Sequence, residues 1–369
     1  MIRRCFVVLS LVLFGWADAQ DAVQAQAPSA NPPSPTHNLH AFAPLDTPAP
    51  TPLRAADGRP GARYWQQEAD YAIDVTLDPD ANRLSGTVSI NYTNNSPDAL
   101  EWLWVQLEQN FFRPESRGAK IVSSNARFSG FFDVAGYDIS RVQIERDGAT
   151  TDADYLIDDT RMRVALDEPL PGTGGELTLH VDFAFSIPQY GADRHGRFDA
   201  QQGTVYQLAQ WYPRMYVYDD VNGWNALPYL GQGEYYLEYG RFDVNITVPR
   251  DMIVAATGTL QNPETVLTEI QRRRLEQARS SRETVMIIDR DEVGTSGTRP
   301  EGDGPLTWRY TTANVRDFAW AASRAFIWDA ATATAGERSV LAQSFYPKEG
   351  IGSPSNPGWE ASTEYVQHS

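Results

Sequence analysis

The chain has 369 residues, of which 41% are hydrophobic, and a formal net charge of −17. Nucleic acid and anionic membranes are therefore disfavoured as partners, because both repel a negatively charged surface. The single cysteine, Cys5, leaves the remainder of the chain without disulfides or thiolate metal ligands. This acidity fits a protein that handles cationic groups such as amines, and it fits equally a merely solvated acidic surface.

Residues 1–19 are predicted to be a cleaved secretory signal. Arg3 and Arg4 precede an apolar run at residues 5–16, and residues 17–19 (ADA) supply a small-residue cleavage site. The apolar run is shorter than the ~20 residues needed to span a bilayer. We therefore expect an exported protein, periplasmic or secreted, without stable membrane insertion.

The next segments differ sharply in composition. Residues 20–62 are dominated by Pro and Ala and are predicted to form a disordered linker. Residues 63–345 are predicted to form one β domain. Residues 346–369 are expected to be a linker and the beginning of a further domain.

Hydrophobic alternation with a period of two dominates after residue 63. Residues 71–77 (YAIDVTL) and 88–92 (VSINY) flank a turn-rich segment and predict an antiparallel hairpin with one buried face. The same alternation, or a shorter apolar run, recurs at residues 162–166, 177–183, 242–248, 252–255, 285–288 and 306–310. The predicted fold class is mainly β, a large antiparallel sheet or sandwich.

Two segments read as helical. Residues 262–283 are rich in helix formers, with Val266, Ile270 and Leu275 predicted to lie on one apolar side. Because the consecutive arginines at residues 272–274 would keep most of it in solvent, we predict an exposed helical insertion between strands. Residues 359–369 begin a second helical pattern that has no terminating Gly or Pro. One face of this helix would carry Trp359, Thr363 and Val366, for which the sequence shows no evident packing partner. We therefore expect a truncated terminal helix.

The segment at residues 207–239 is the densest in aromatic side chains and also carries acids. Such a surface is typical of recognition of small polar groups, and a carboxylate or amide in an aromatic-walled pocket binds ammonium by charge and cation–π contact. Glu234 and Tyr212 are the candidate substrate-binding residues in this segment. The alternative is that the aromatic residues pack between strands. Asp219 and Asp220 are expected to pair locally with Arg214.

No catalytic motif accompanies this segment. The sequence contains no HExxH, no paired-cysteine spacing and no GxSxG, and His180, His195 and His368 are not spaced as zinc ligands. We therefore predict no catalytic residues, no metal site and no cofactor within residues 1–369.

Several segments of this sequence resemble the N-terminal portion of the aminopeptidase N family of gluzincin zinc metallopeptidases. The resemblance rests on residues 71–77 with 86–90, 209–220 (AQWYPRMYVYDD), 242–249 with 255–258, 315–321 and 359–369. It implies a saddle-shaped β domain that contributes a Gln or Glu to bind the free amine of a peptide. Gln210 is the better match to that residue and Gln207 the alternative.

In the family resembled, the zinc motif and its GxMEN loop follow this region. The resemblance therefore implies zinc in the complete protein, a peptide N-terminus as substrate and a C-terminal catalytic domain as partner. It also implies that residues 1–369 are inactive alone. The rival hypothesis is a secreted, non-catalytic β-sandwich that binds a peptide or glycan, with a regulatory pseudo-peptidase as a related form.

Overall fold

The computed structural model describes residues 49–123, 134–189, 195–231, 236–353 and 355–369. The chain divides into two compact units, Met1–Ala62 and Arg63–Ser369. Of the first unit, residues 49–62 are described, and they form a tight turn in which the Ala55 amide donates to the Arg59 carbonyl at 2.8 Å.

The described part of the second unit is mainly β, with several antiparallel sheets and few helices, as predicted. Its strands are β1 (Glu68–Asp78), β2 (Arg83–Asn94), β3 (Leu100–Gln106), β4 (Asp138–Arg146), β5 (Ala149–Asp152), β6 (Tyr155–Asp158), β7 (Arg161–Leu170), β8 (Gly175–Ser186), β9 (Gly196–Ala200), β10 (Gly203–Leu208), β11 (Arg214–Met215), β12 (Tyr218–Asp219), β13 (Gly223–Trp224), β14 (Gly240–Val248), β15 (Ile253–Ala256), β16 (Thr259–Leu260), β17 (Val285–Ile288), β18 (Leu306–Val315), β19 (Trp320–Ser323), β20 (Ile327–Ala335) and β21 (Arg338–Tyr346). The helices are α1 (Arg117–Ile121), α2 (Pro263–Val266), α3 (Glu269–Ala278) and α4 (Ser362–His368).

Eight strands form the largest sheet, in the order β16-β18-β14-β1-β2-β8-β4-β5. The predicted hairpin is confirmed: β1 and β2 pair antiparallel from Glu68 opposite Thr93 to Asp78 opposite Arg83. The pairing of β1 with β14 is parallel, whereas the other neighbours in this sheet are antiparallel. This parallel pair places β14, which follows the aromatic segment at residues 207–239, beside β1, the first strand of the domain.

Four smaller sheets complete the described part. Two have four strands, in the orders β15-β19-β10-β9 and β11-β3-β7-β6. Strands β17, β20 and β21 form a third, and β12 and β13 form a short two-stranded ribbon. The segment between β10 and β11 thus passes from one four-stranded sheet directly to the other.

Alternating side chains of β1, β2, β8 and β14 line the core. Tyr71 of β1 stacks on Phe242 of β14 with ring centroids 4.6 Å apart, and Trp211 donates its indole N–H to the Phe318 carbonyl at 2.8 Å. Both contacts join segments far apart in sequence. Large buried aromatic side chains make a major contribution to the stability of a core of this kind.

Gly240, at the start of β14, lies where two backbones approach closely. A Cβ atom there would be 1.8 Å from the Ala69 carbonyl oxygen of β1, and backbone cannot rotate away as a side chain can. Gly240→Ala is expected to lower the free energy of unfolding by about 2 kcal/mol, measured by chemical denaturation. Gly297→Ala is the matched control, since a Cβ at that position meets nothing within 4 Å. Equal losses in the two variants would contradict this expectation.

The helical insertion is confirmed as α2 and α3, between β16 and β17, but its buried face differs from the prediction. Val266 and Leu275 are buried, whereas Ile270 is 47% exposed. A capping box at the start of α3 explains the difference. The Thr268 hydroxyl accepts from the backbone N–H of Gln271, and the Gln271 side-chain oxygen accepts from the backbone N–H of Thr268. This start to α3 turns Gln271 and Leu275 inward at helical spacing and leaves Ile270 outside.

The terminal helix α4 also differs in part. Thr363 was expected to have no packing partner, yet it is fully buried, donates to Asp329 of β20 at 2.5 Å and shares a hydrogen bond with Ser344 of β21. That prediction is wrong for Thr363, because β20 and β21 already supply its partners. Trp359 and Val366 remain exposed, at 65% and 56%.

Among the residues described, no helix combines the length and apolar character needed to cross a bilayer.

Candidate functional site

A buried ion cluster lies where the segment after β10 enters β11. Arg214, only 1% exposed, donates through Nε at 3.1 Å and through Nη2 to Glu108 Oε1, and through Nη1 to Asp317 Oδ2 at 2.8 Å. Tyr212 donates its hydroxyl to the other oxygen of Asp317 at 2.8 Å. One guanidinium thereby joins three segments of the chain, and we call this set the Arg214 cluster.

Burial raises the pKa of the Glu108 carboxyl, and the adjacent Arg214 charge opposes that rise. Charge-assisted bonds from a planar guanidinium are the interactions best able to offset the cost of burying a carboxylate. The Arg214 cluster therefore fixes the course of the residues just before Arg214, including Gln210 and Tyr212.

The predicted local pairing of Arg214 with Asp219 is wrong. Asp219 accepts instead from the Tyr236 hydroxyl at 2.9 Å, the Asn225 amide at 2.9 Å and the backbone N–H groups of Val221 and Asn222. An aspartate that caps its own turn in this way satisfies short-range donors first. Arg214 finds its carboxylates across sheet contacts, on residues more than 100 positions away in the sequence.

Gln210 lies beside the Arg214 cluster in an unusual conformation. Its φ is +54°, in the left-handed region that non-glycine residues seldom occupy, and the residue is 7% exposed. Its carbonyl accepts from the Gln109 amide at 2.8 Å. Backbone strain of this type, when a buried network maintains it, is characteristic of ligand sites.

Among the described residues, three buried polar atoms in this neighbourhood have no hydrogen-bond partner: Glu108 Oε2, Gln109 Oε1 and Gln210 Nε2. Glu108 and Gln109 are adjacent in the chain, and Gln109 is bonded to Gln210, so the three residues form one group, here called the Gln210 group. Buried polar atoms normally have hydrogen-bond partners. The Gln210 group therefore offers a ligand two acceptor oxygens and one N–H donor.

The remaining candidate residues have different positions. Tyr212 is fully buried and bonded to Asp317, so it supports the Arg214 cluster from within the core. Gln207 is exposed on β10 and lines a separate cavity of about 510 Å³ with Trp320 and Phe345. Glu234 lies outside the described residues. The structure thus brings Gln210 and Tyr212 together and places Gln207 apart from them.

A row of aromatic rings lies further along the same segment. Trp65 stacks on Tyr218 at 5.8 Å, Tyr218 meets Trp224 edge-on at 5.3 Å, and Trp224 stacks on Tyr92 at 6.2 Å. Trp65 and Tyr92 were not among the candidates, because nothing in the local pattern links them to residues 207–239. The segment contains both core and partly exposed aromatic side chains: Trp211 and Tyr212 are buried, whereas Tyr218 and Trp224 are partly exposed.

Glu238 is a buried carboxyl beside this row. Burial, followed by the charge of Asp219, raises its pKa from about 4.5 to about 8, against a lowering by the Gln67 backbone N–H. Glu238 is 9% exposed, and its neutral form therefore predominates at neutral pH. Little in the sequence favoured the selection of Glu238, because it is a single acid between Leu237 and Tyr239 before a predicted strand.

His195 is buried between the rings of Phe112 and Phe185, at centroid distances of 5.8 and 5.6 Å. Burial lowers its pKa to about 3, so the imidazole is neutral at physiological pH. Within the described part of the chain, no group of three His, Cys, Asp or Glu side chains is arranged to hold a metal ion. The described residues therefore do not fit zinc.

Comparison with known proteins finds a partial structural similarity to solved structures. No family model and no curated protein matches the chain. Among solved structures, a two-domain M1 zinc metallopeptidase variant bound to L-arginine is 14% identical with a TM-score of 0.43, covering 81% of this chain and 52% of its own. An M1 zinc metallopeptidase variant from Deinococcus radiodurans bound to a Tyr-Ser-Ala substrate is 15% identical with a TM-score of 0.42, covering 82% and 52%. The chain spans about half the length of these proteins.

Proposed function

We propose that this chain is the substrate-anchoring β portion of an exported, zinc-dependent aminopeptidase, and that it holds the free amine of a peptide substrate. The observation that carries the proposal is the Gln210 group. It combines strained backbone at Gln210 with two unpartnered buried acceptors, Glu108 Oε2 and Gln109 Oε1.

The chemistry of this group suits an ammonium ion. A primary ammonium has three N–H donors, and the Gln210 group offers a carboxylate oxygen and an amide oxygen that lack donors. Arg214 occupies Glu108 Oε1 and leaves Oε2 available. A charge-assisted bond to Glu108 Oε2 would fix the peptide N-terminus, and with it the first peptide bond, in one position.

The hydrolytic step is assigned to sequence beyond residues 1–369. When bound there, zinc would supply Lewis-acid activation of water and carbonyl, as in other zinc peptidases. The role of the described residues is binding and orientation of the substrate.

The test uses the longest reading frame that contains this chain, assayed on aminoacyl arylamides. Gln109→Ala, which removes the unpartnered amide oxygen, is expected to raise KM at least about tenfold, equivalent to ~1.4 kcal/mol, with zinc content unchanged. Gln207→Ala is the matched control, since Gln207 lines a different cavity. A raised KM in Gln207→Ala alone would transfer the anchoring role to that residue. A zinc-loaded protein without aminopeptidase activity would refute the proposal.

The second candidate function is a secreted, non-catalytic domain that binds a peptide or glycan. It is favoured by the aromatic row, because Tyr218 and Trp224 leave part of their rings exposed, as sugar- and peptide-binding surfaces do. Calorimetry of the chain against glycan and peptide panels distinguishes the two. This candidate predicts heat that is lost in Trp224→Ala and retained in Gln109→Ala.

A further inference from the structure

A second cavity, distant in sequence from the Gln210 group, has a cationic lining. Its volume is about 830 Å³, and its walls include residues 293–296 and 298–302, the turn before β15, and Arg324 between β19 and β20. Three of its lining side chains are arginines, Arg250, Arg299 and Arg324, against the carboxylates Asp251 and Glu301. A cavity with a net excess of arginine is unexpected in a chain of net charge −17.

Arg250 builds one wall of this cavity. Its Nε, Nη1 and Nη2 atoms donate to the backbone carbonyls of Gly304, Glu301 and Asp303 at 3.0, 3.2 and 2.7 Å. Because each of its guanidinium nitrogens is bonded to backbone, Arg250 holds the loop in place. Its charge still contributes to the potential inside the cavity.

Arg299 differs from Arg250 in having a guanidinium nitrogen that remains available, and within the described part of the chain its hydrogen bonds go to backbone carbonyls and none to a carboxylate. Its Nε donates to the Asp251 carbonyl and its Nη1 to the Thr298 carbonyl, both at 2.7 Å. Among the described residues, Nη2 has no acceptor. Burial lowers the pKa of Arg299 to about 10, with Asp251 acting in the opposite direction. The guanidinium is thus fixed in orientation and has a free donor edge.

Arg324 supplies a second available guanidinium. It is about half exposed, and its described carboxylate contact is with Asp251 Oδ2 at 3.4 Å, a long ion pair. Its stem lies over Gly203, where a Cβ atom would be 2.5 Å from the Arg324 Cγ. Contact with Gly203 therefore positions the aliphatic part of Arg324 beside the cavity, whereas its guanidinium makes only the long ion pair with Asp251.

We infer that this cavity is an oxyanion-binding site, with the Arg299 Nη2 edge and the Arg324 guanidinium as the donors to a phosphate or carboxylate group. Guanidinium groups recognise both anions through paired, charge-assisted hydrogen bonds. The volume exceeds that of the anion alone and lies in the range of small-molecule sites, so the oxyanion is the head group of a larger ligand. Binding would replace the long Arg324–Asp251 contact by shorter bonds to the ligand.

Isothermal titration calorimetry with inorganic phosphate, and separately with citrate, tests this site at constant ionic strength. One site per chain is expected, with affinity weakened at least tenfold in Arg299→Gln and in Arg324→Gln. Tighter binding of phosphate or of citrate identifies which oxyanion the site prefers. Arg241→Gln removes the same charge from an exposed ion pair on β14 and is expected to bind like the parent protein.

Two results would overturn the inference. One is no saturable heat from the parent protein up to about 10 mM of either anion, well above a 1 mM dissociation constant. The other is equal weakening in Arg241→Gln, which indicates a non-specific charge effect. Should Arg299→Gln fail to fold, the half-exposed Arg324→Gln decides the question alone. Neither peptide substrate nor zinc enters this experiment, so its outcome is independent of the proposed function.

Discussion

Replacing Arg214 by Met is expected to destabilise the protein by about 3–5 kcal/mol, the cost typical of breaking a buried ion pair from one side. Glu108, 2% exposed, would keep a buried carboxyl without its cation, and Asp317 would lose its Nη1 donor. Denaturation by guanidinium chloride, followed by tryptophan fluorescence, measures the change in the free energy of unfolding.

Two further variants sharpen this measurement. Arg241→Met breaks an exposed pair with Asp243 and is expected to cost less than about 1 kcal/mol. Arg214→Met combined with Glu108→Gln should recover part of the loss, because the second change removes the stranded charge. A cost for Arg214→Met no larger than that for Arg241→Met would show that the buried cluster contributes little to stability.

The second large effect is a pH dependence centred on Glu238. Burial and Asp219 raise its pKa in the folded state to about 8, above an ordinary value of about 4.5. The folded state therefore holds a proton that the unfolded chain releases between these values. The stabilising contribution of the proton is fully present below about pH 4.5 and is lost as the pH rises through about 8.

Glu238→Gln mimics the neutral carboxyl, so it is expected to remove this loss. The difference in free energy of unfolding between Glu238→Gln and the parent should grow in favour of the variant between about pH 5 and about pH 9. A tenfold difference in proton affinity between the folded and unfolded states corresponds to about 1.4 kcal/mol, so the rise in pKa from about 4.5 to about 8 predicts a total of a few kcal/mol. Denaturation curves for both proteins at a series of pH values measure it.

Asp243→Asn is the control for this series. The hydrogen bond and charge of Arg241 hold the pKa of Asp243 below its ordinary value, so its titration lies under the pH range used. This variant should therefore run parallel to the parent protein between about pH 5 and about pH 9. Parallel curves for Glu238→Gln as well would mean that Glu238 is ionised in the folded state throughout.

The described strands follow closely from local sequence. The alternation in residues 71–77 and 88–92 predicted β1 and β2, and their observed register puts alternate residues such as Ile73 and Val88 in the core. The insertion at α2 and α3 was equally visible. Backbone geometry explains this success, because side-chain direction repeats every two residues in a strand and every 3.6 in a helix.

Local sequence failed where a partner lay far away or where a cap set the phase of a helix. Ile270 was assigned to the wrong face because the capping box, rather than hydrophobicity, sets the start of α3. Thr363 was left without partners that β20 and β21 provide. Gln210 and Tyr212 were selected as candidates from the sequence, but the strain at Gln210 and the burial of Tyr212 were not predictable from it.

By itself, the sequence determined the mainly β class, the principal strands and one of the segments that form the candidate site. Only the tertiary structure decided that Arg214 pairs with Glu108 and Asp317, 106 and 103 residues away, and that three arginines share one cavity. The reason is physical. Element type is set by interactions between residues a few positions apart, whereas a buried charge selects its partner through sheet order, register and exclusion of water, which involve the whole folded chain.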